Sequence, residues 1–211
     1  MERRVVVVDY GLGNLSSVER ALRHLGAAPE ISADPRALEA APRAVLPGVG
    51  AFGTAMRNLR ERGLVEPLRA FAAARRPLLG VCLGMQLFME RSEEGGVHEG
   101  LGIVRGRVSR LAARPGLKIP HIGWSALAPQ ARAWNGTVLQ GLEPGAALYF
   151  VHSYFVAPED PRDVLATTAY GDNRYCAVLQ RDSLAGCQAH PEKSSAAGLR
   201  ILQNFLEMPA P

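Results

Sequence analysis

The sequence predicts an α/β fold: a mostly parallel central sheet with helices on both faces, continuing into a β-rich C-terminal half. Three observations carry this prediction. Apolar, β-branched runs alternate with segments of helical period as far as Arg91. Glycine-rich turns join each run to the helix after it. Beyond about Gly100 the chain turns to short apolar runs broken by Pro and Gly.

The first unit is RRVVVVDYGLGNLSSVERALRHLG, in which Val5–Val8 read as a strand, GLGN as a turn, and Val18, Leu22 and Leu25 as one helix face. RAVLPGVGAFGTAMRNLRERGL repeats it, with PGVG between strand and helix. RRPLLGVCLGMQLFMER repeats it again, the strand ending at Cys82. Repeated units of this kind call for parallel strands covered on both faces. GIVRGRVSRL, ALYFVHSYFV and YCAVLQRDSLAGCQAH then read as strands, the last one ending at His190. SSAAGLRILQNFLE closes the chain as a helix, with Leu199, Leu202, Phe205 and Leu206 on one face and Ser194 and Ser195 placed to cap it.

A chain of 211 residues suits a single domain, 1–211, with a β-rich extension. With 47% hydrophobic and 21% charged residues it reads as folded and soluble, not disordered or fibrous. Val5–Val8 is too short for a signal-peptide core or a membrane span, so a cytoplasmic protein with no membrane contact is expected. The net charge of +4 comes without basic runs, which argues against nucleic acid as a partner. Cys82, Cys176 and Cys187 cannot all pair internally and read as reduced.

GLGNLS follows a strand, and Glu30 stands roughly where a dinucleotide fold places its ribose-binding acid. The third small position is Ser16, however, and a lone fragment of that fingerprint is weak. A tight turn presenting a loop at the carboxyl edge of the sheet is the preferred reading.

GVCLG has the form of a nucleophile elbow, where small neighbours let the chain turn sharply from strand to helix and expose the central side chain. A buried cysteine packed as a small hydrophobe is the alternative. Of the five histidines, His24, His98, His121 and His152 have bland explanations: a charged helix, a polar loop, a site after Pro120 and a satisfied core group. His190 precedes Pro191 and should be extended, which sets Glu192 on its side of the chain, able to orient the imidazole. A turn with an incidental ion pair is the alternative. Zinc on Cys187, His190 and Cys176 is disfavoured, because positions three apart on a strand face opposite ways; no metal is expected.

With GVCLGMQ and HPEKS together, the sequence resembles the class I (triad) glutamine amidotransferases. GLGNLSS, LPGVGAFGTAM, PHIGW, YFVHSYF and HPEKSSAAGLRILQNF extend the resemblance, from about Val5 to Phe205, to the glutaminase subunits of imidazole glycerol phosphate synthase. The resemblance implies that fold and glutamine hydrolysis without a cofactor. It also implies a catalytic set of Cys82 as nucleophile, His190 as base and acid, and Glu192 as orienting carboxylate. The oxyanion hole matches Val49, Gly50 and Leu83, within the loop Pro47–Gly50; glutamine binding matches Gln86, Glu94, Ser153 and Tyr154. The implied partner is a (β/α)8-barrel cyclase subunit, held as a heterodimer, which uses the ammonia to make imidazole glycerol phosphate and AICAR in histidine biosynthesis. Tyr10, Asn14, Trp124 and Lys193 match that interface. Two positions depart from the family: Ala189 replaces an aromatic before the histidine, and Ser125 replaces an Asn after PHIGW. A glutaminase serving another synthase, or an inactive module on the same fold, is the rival.

Overall fold

Residues 3–130 and 132–210 are described by a computed structural model of the chain. Up to Leu87 each strand is followed by a helix, or by two after β3: β1 (Arg3–Val8), α1 (Leu15–His24), β2 (Ala27–Ser32), α2 (Pro35–Ala40), β3 (Ala44–Leu46), α3 (Phe52–Glu61), α4 (Val65–Ala73), β4 (Leu78–Val81) and α5 (Leu83–Leu87). Short strands then take over: β5 (Arg91–Ser92), β6 (His98–Glu99), β7 (Gly106–Arg110), β8 (His121–Ala126), β9 (Ala128–Pro129), β10 (Ala147–His152), β11 (Tyr154–Pro158), β12 (Val164–Tyr170), β13 (Asn173–Arg181) and β14 (Leu184–Cys187). The helix α6 (Ser195–Glu207) closes the fold.

The central sheet runs β2-β1-β3-β4-β14-β13-β12-β9. Pairing is parallel from β2 through β14 and antiparallel from β14 to β9. Period-2 alternation divides β1 between two cores: Val5 and Val7 face one, Val6 and Val8 the other. This explains why the run is apolar at every position. Val18 and Leu22 of α1 join Ile201, Leu202 and Phe205 of α6 in the first core, while Phe52, Met56 and Leu59 of α3 and Leu68 of α4 fill the second. Each such side chain contributes about 1.5–3 kcal/mol by burial.

Two smaller sheets complete the β-rich half. The β8–β10 ribbon sends Leu148 and Phe150 into the first core, and the sheet β11-β7-β5-β6 sends Val108 and Val156 into the second. Because β1, β3, β4 and β14 are parallel, the segments following them emerge at one edge of the sheet. Those segments are GLGN, PGVG, the turn at Cys82, and Gln188–His190.

Two local expectations are corrected. The last strand ends at Cys187, short of His190, because Gln188 N–H donates to Ala177 O at 2.8 Å and His190 N–H crosses to Tyr149 O at 2.9 Å. Ser194 makes no side-chain cap for α6. Its hydroxyl instead donates to His190 O at 2.6 Å and accepts from Tyr149 N–H at 2.9 Å, so it fastens the histidine segment to β10.

Candidate active site

Cys82 sits at φ 52°, ψ −110°. A side chain in the left-handed region costs on the order of 1–3 kcal/mol, so its surroundings must impose it. Its N–H donates to Cys187 O at 2.8 Å, and its carbonyl accepts from Met85 N–H at 3.1 Å and Gln86 N–H at 3.2 Å. The flanking glycines are required for contact reasons: a Cβ at Gly80 would stand 2.7 Å from the Met85 amide nitrogen, and one at Gly84 would overlap the Leu46 carbonyl oxygen. The sharp turn thus lets β4 and α5 lie almost in contact with β3.

His190 has φ −101°, ψ 92°, extended as a residue before proline should be. A short 3-10 turn, Pro191–Lys193, follows it. The turn, rather than a continued strand, brings Glu192 beneath the ring: His190 Nδ1–H donates to Glu192 Oε1 at 2.8 Å, with both side chains almost wholly buried. That bond places the proton on Nδ1 and leaves Nε2 toward the thiol; among the described residues Nε2 has no hydrogen-bond partner. Burial acts to lower the imidazole pKa, but hydrogen bonding to Cys82 and Glu192, and then their negative charges, outweigh it and raise it to about 10, the condition of an imidazolium paired with a thiolate. The arrangement can remove a proton from a thiol and hold it as an imidazolium.

Val49, Gly50, Cys82, Leu83, Gln86, Glu94, Ser153 and Tyr154 share one cleft of about 320 Å³, with Pro120 and His152 in its walls. Four other clefts, of about 330 to 490 Å³, contain none of these residues. Gly50 adopts φ 114°, open to glycine, and Val49 is 40% exposed at the rim. Leu83 begins α5, so its amide is one of the first-turn donors a helix leaves unpaired. Gln86 Nε2 donates to Tyr154 O at 2.8 Å and to Gln188 Oε1 at 3.1 Å, and Glu94 Oε2 accepts from Phe52 N–H at 2.7 Å.

Of the residues matched to a partner surface, Trp124 is 53% exposed on β8, beside Ile122 at 60%. Lys193 is exposed and Asn14 half-buried at the start of α1. Tyr10 is a correction: it is fully buried, its hydroxyl donating to Pro47 O at 2.8 Å, so its side chain braces the PGVG loop and is not presented to a partner. In the GLGN segment, Gly11 and Gly13 take positive φ, and the Tyr10 carbonyl accepts from Asn58 Nδ2 at 3.0 Å. Glu30 lies 3.8 Å from Arg4 on the surface. Cys176 and Cys187 lie in different cores, and among the described residues no cluster of three or more His, Cys, Asp or Glu could hold a metal.

Sequence reasoning missed Gln188. Its Nε2 points to Cys82 Sγ at 3.7 Å, and its own carbonyl receives Gln86. Its position two residues before His190 in an extended segment was the available signal. It also missed that His121 and His152 share one hydroxyl, that of Tyr175, at 2.7 and 3.0 Å.

A cysteine elbow and a buried His–Glu pair at the carboxyl edge of a doubly covered sheet form an arrangement able to carry thiol-dependent acyl transfer. The family model described as glutamine amidotransferase class-I matches residues 6–208. The chain is 48% identical to the imidazole glycerol phosphate synthase subunit HisH of Thermosynechococcus vestitus, over 97% of this chain and 96% of that one. It is 50% identical to the subunit of the same name from Symbiobacterium thermophilum, over 97% and 94%. Among solved structures, PurLQS from Thermotoga maritima matches at a TM-score of 0.75 and 19% identity, covering 98% of this chain and 99% of that chain, which speaks to the fold alone. The chain belongs to the class I glutamine amidotransferases, among the HisH subunits of imidazole glycerol phosphate synthase.

Proposed function

We propose that the chain hydrolyses L-glutamine with Cys82, His190 and Glu192, and delivers the ammonia to a (β/α)8-barrel cyclase subunit in a cytoplasmic heterodimer. The observation that carries this is the buried Nδ1–Oε1 bond of 2.8 Å, which orients His190 next to a cysteine held at positive φ. His190 Nε2 holds the proton taken from Cys82 while the thiolate sulfur attacks the carboxamide carbon. The tetrahedral oxyanion is received by the amide of Leu83 and by the Val49–Gly50 loop; one such donor is typically worth about 3–4 kcal/mol. The imidazolium returns the proton to the leaving nitrogen, so ammonia departs and a thioester remains. Water, deprotonated by His190, then cleaves the thioester to glutamate and restores the thiol. Gln86, Glu94 and the backbone of Ser153 and Tyr154 hold the amino-acid end of the substrate, and Trp124, Asn14 and Lys193 face the cyclase.

An electrophilic glutamine analogue, applied with the cyclase subunit present and followed by peptide mass spectrometry, is expected to label Cys82. An unlabelled Cys82 under those conditions would overturn the proposal. Steady-state hydrolysis is further expected to be slow for the lone chain and to rise when the ligand-bound cyclase is added, since Val49 and Gly50 lie in an exposed loop that a docked partner can set.

A further inference from the structure

The aromatic cluster behind the cleft contains a polar thread. Ser125 Oγ lies 3.1 Å from His121 Nε2, His121 Nδ1 lies 2.7 Å from the Tyr175 hydroxyl, and that hydroxyl lies 3.0 Å from His152 Nε2. His152 Nδ1 lies 2.9 Å from Tyr154 O, the same carbonyl that receives the Gln86 amide. His121 and His152 are direct cross-strand partners in the β8–β10 ribbon.

The direction of every bond follows from its last member. A carbonyl only accepts, so His152 carries its proton on Nδ1. Burial keeps His152 neutral, its pKa lowered to about 3, so its Nε2 is an acceptor. Tyr175 has a single proton and must donate it there. The tyrosine oxygen therefore accepts from His121 Nδ1–H. His121, also held neutral by burial with its pKa lowered to about 4, has only an Nε2 lone pair left to receive the Ser125 hydroxyl.

We propose that Ser125, His121, Tyr175 and His152 are positioning residues: a one-way hydrogen-bond chain that ties strand β8, beneath Trp124, to the Tyr154 carbonyl in the wall of the glutamine cleft. This deepens the glutaminase reading and rests on it. Side chains on β8 alternate, so Ile122 and Trp124 face outward while His121 and Ser125 face the cluster. A displacement of the outer face is transmitted inward because each link has one donor and one acceptor and no alternative partner of the same kind. The carbonyl that the thread ends on also fixes Gln86, so loss of a link loosens the substrate pocket rather than the chemistry at Cys82.

The test uses the full chain complexed with its cyclase subunit. Tyr175→Phe removes one hydroxyl and two links; it is expected to raise KM for glutamine about three- to ten-fold, the effect of one or two lost hydrogen bonds, with kcat little changed. Tyr170→Phe is the matched control: its ring stacks on His121 with centroids 4.0 Å apart, but its hydroxyl donates to Lys118 O, outside the thread. It is expected to leave KM unaltered. Equal KM values for Tyr175→Phe and the unaltered protein, or equal effects of the two variants, would overturn the proposal. Should Tyr175→Phe not fold, nitrogen-15 NMR of the unaltered chain decides: both rings must be Nδ1–H tautomers, and Nε2–H on either overturns the thread. The NMR result does not depend on hydrolysis, so failure of the thread and failure of the glutaminase reading are told apart.

Discussion

His190 and the histidine pair at Tyr175 respond to pH in opposite senses. In the unfolded chain an imidazole titrates near 6.5; in the folded chain Cys82 and Glu192 raise His190 to about 10. Its contribution to stability is therefore complete below about pH 6.5 and is lost as pH rises toward 10. His121 and His152, lowered to about 4 and about 3, leave stability unaffected above 6.5 and reduce it as pH falls below. Urea midpoints across this range are expected to peak near pH 6.5, and Glu192→Gln is expected to flatten the alkaline side. The same substitution should lower kcat by roughly 10⁴-fold, as removal of the orienting carboxylate does in a Ser-His-Asp triad, measured as glutamate release by the complex. A substitution of this kind keeps the ring in place but no longer favours its charged form.

At the scale of elements, the β4–α5 turn separates two roles of glycine. Gly84→Ala forces a methyl group into the Leu46 carbonyl oxygen, a backbone atom that cannot swing aside, and is expected to cost about 3 kcal/mol or to leave the chain insoluble. Gly26, at φ 75° with nothing within 4 Å, is limited only by its conformation, so Gly26→Ala is expected to cost about 1–2 kcal/mol. Urea midpoints of the two variants check the contrast. The elbow was legible in the sequence because its cause is local: two glycines two residues either side of a cysteine, at the end of an apolar run. The extended His190 was legible for the same reason, through Pro191. Gln188, the Ser194 fastening and the thread through Tyr175 were not, because their partners lie 106, 45 and 54 residues away. Such contacts depend on which strands become neighbours, and local periodicity does not encode sheet order. Tyr10 was misplaced on similar grounds: a residue beside an exposed loop can turn its own ring inward.

For the whole molecule, the outer face of the β8–β10 ribbon is the clearest apolar exposure near the cleft, with Ile122, Trp124 and the rim residue Val49. Trp124→Ala is expected to weaken binding to the cyclase about 30-fold, the effect of losing an aromatic hot spot, while leaving the circular dichroism spectrum of the lone chain unchanged; isothermal titration measures it. The order of strands in the central sheet has a further consequence, for the chain during its synthesis. β14 is the last strand made, yet it lies between β4 and β13. Until it emerges from the ribosome, the sheet stands as two halves, each with an open edge of unpaired amides and carbonyls. In the proposed mechanism the thiol is then without its base as well, since His190 follows β14 by three residues. Insertion of this one strand closes the sheet and, in the proposed mechanism, arms the cysteine in the same event, so an incomplete chain presents sticky edges to other chains but, on that mechanism, no competent nucleophile to glutamine.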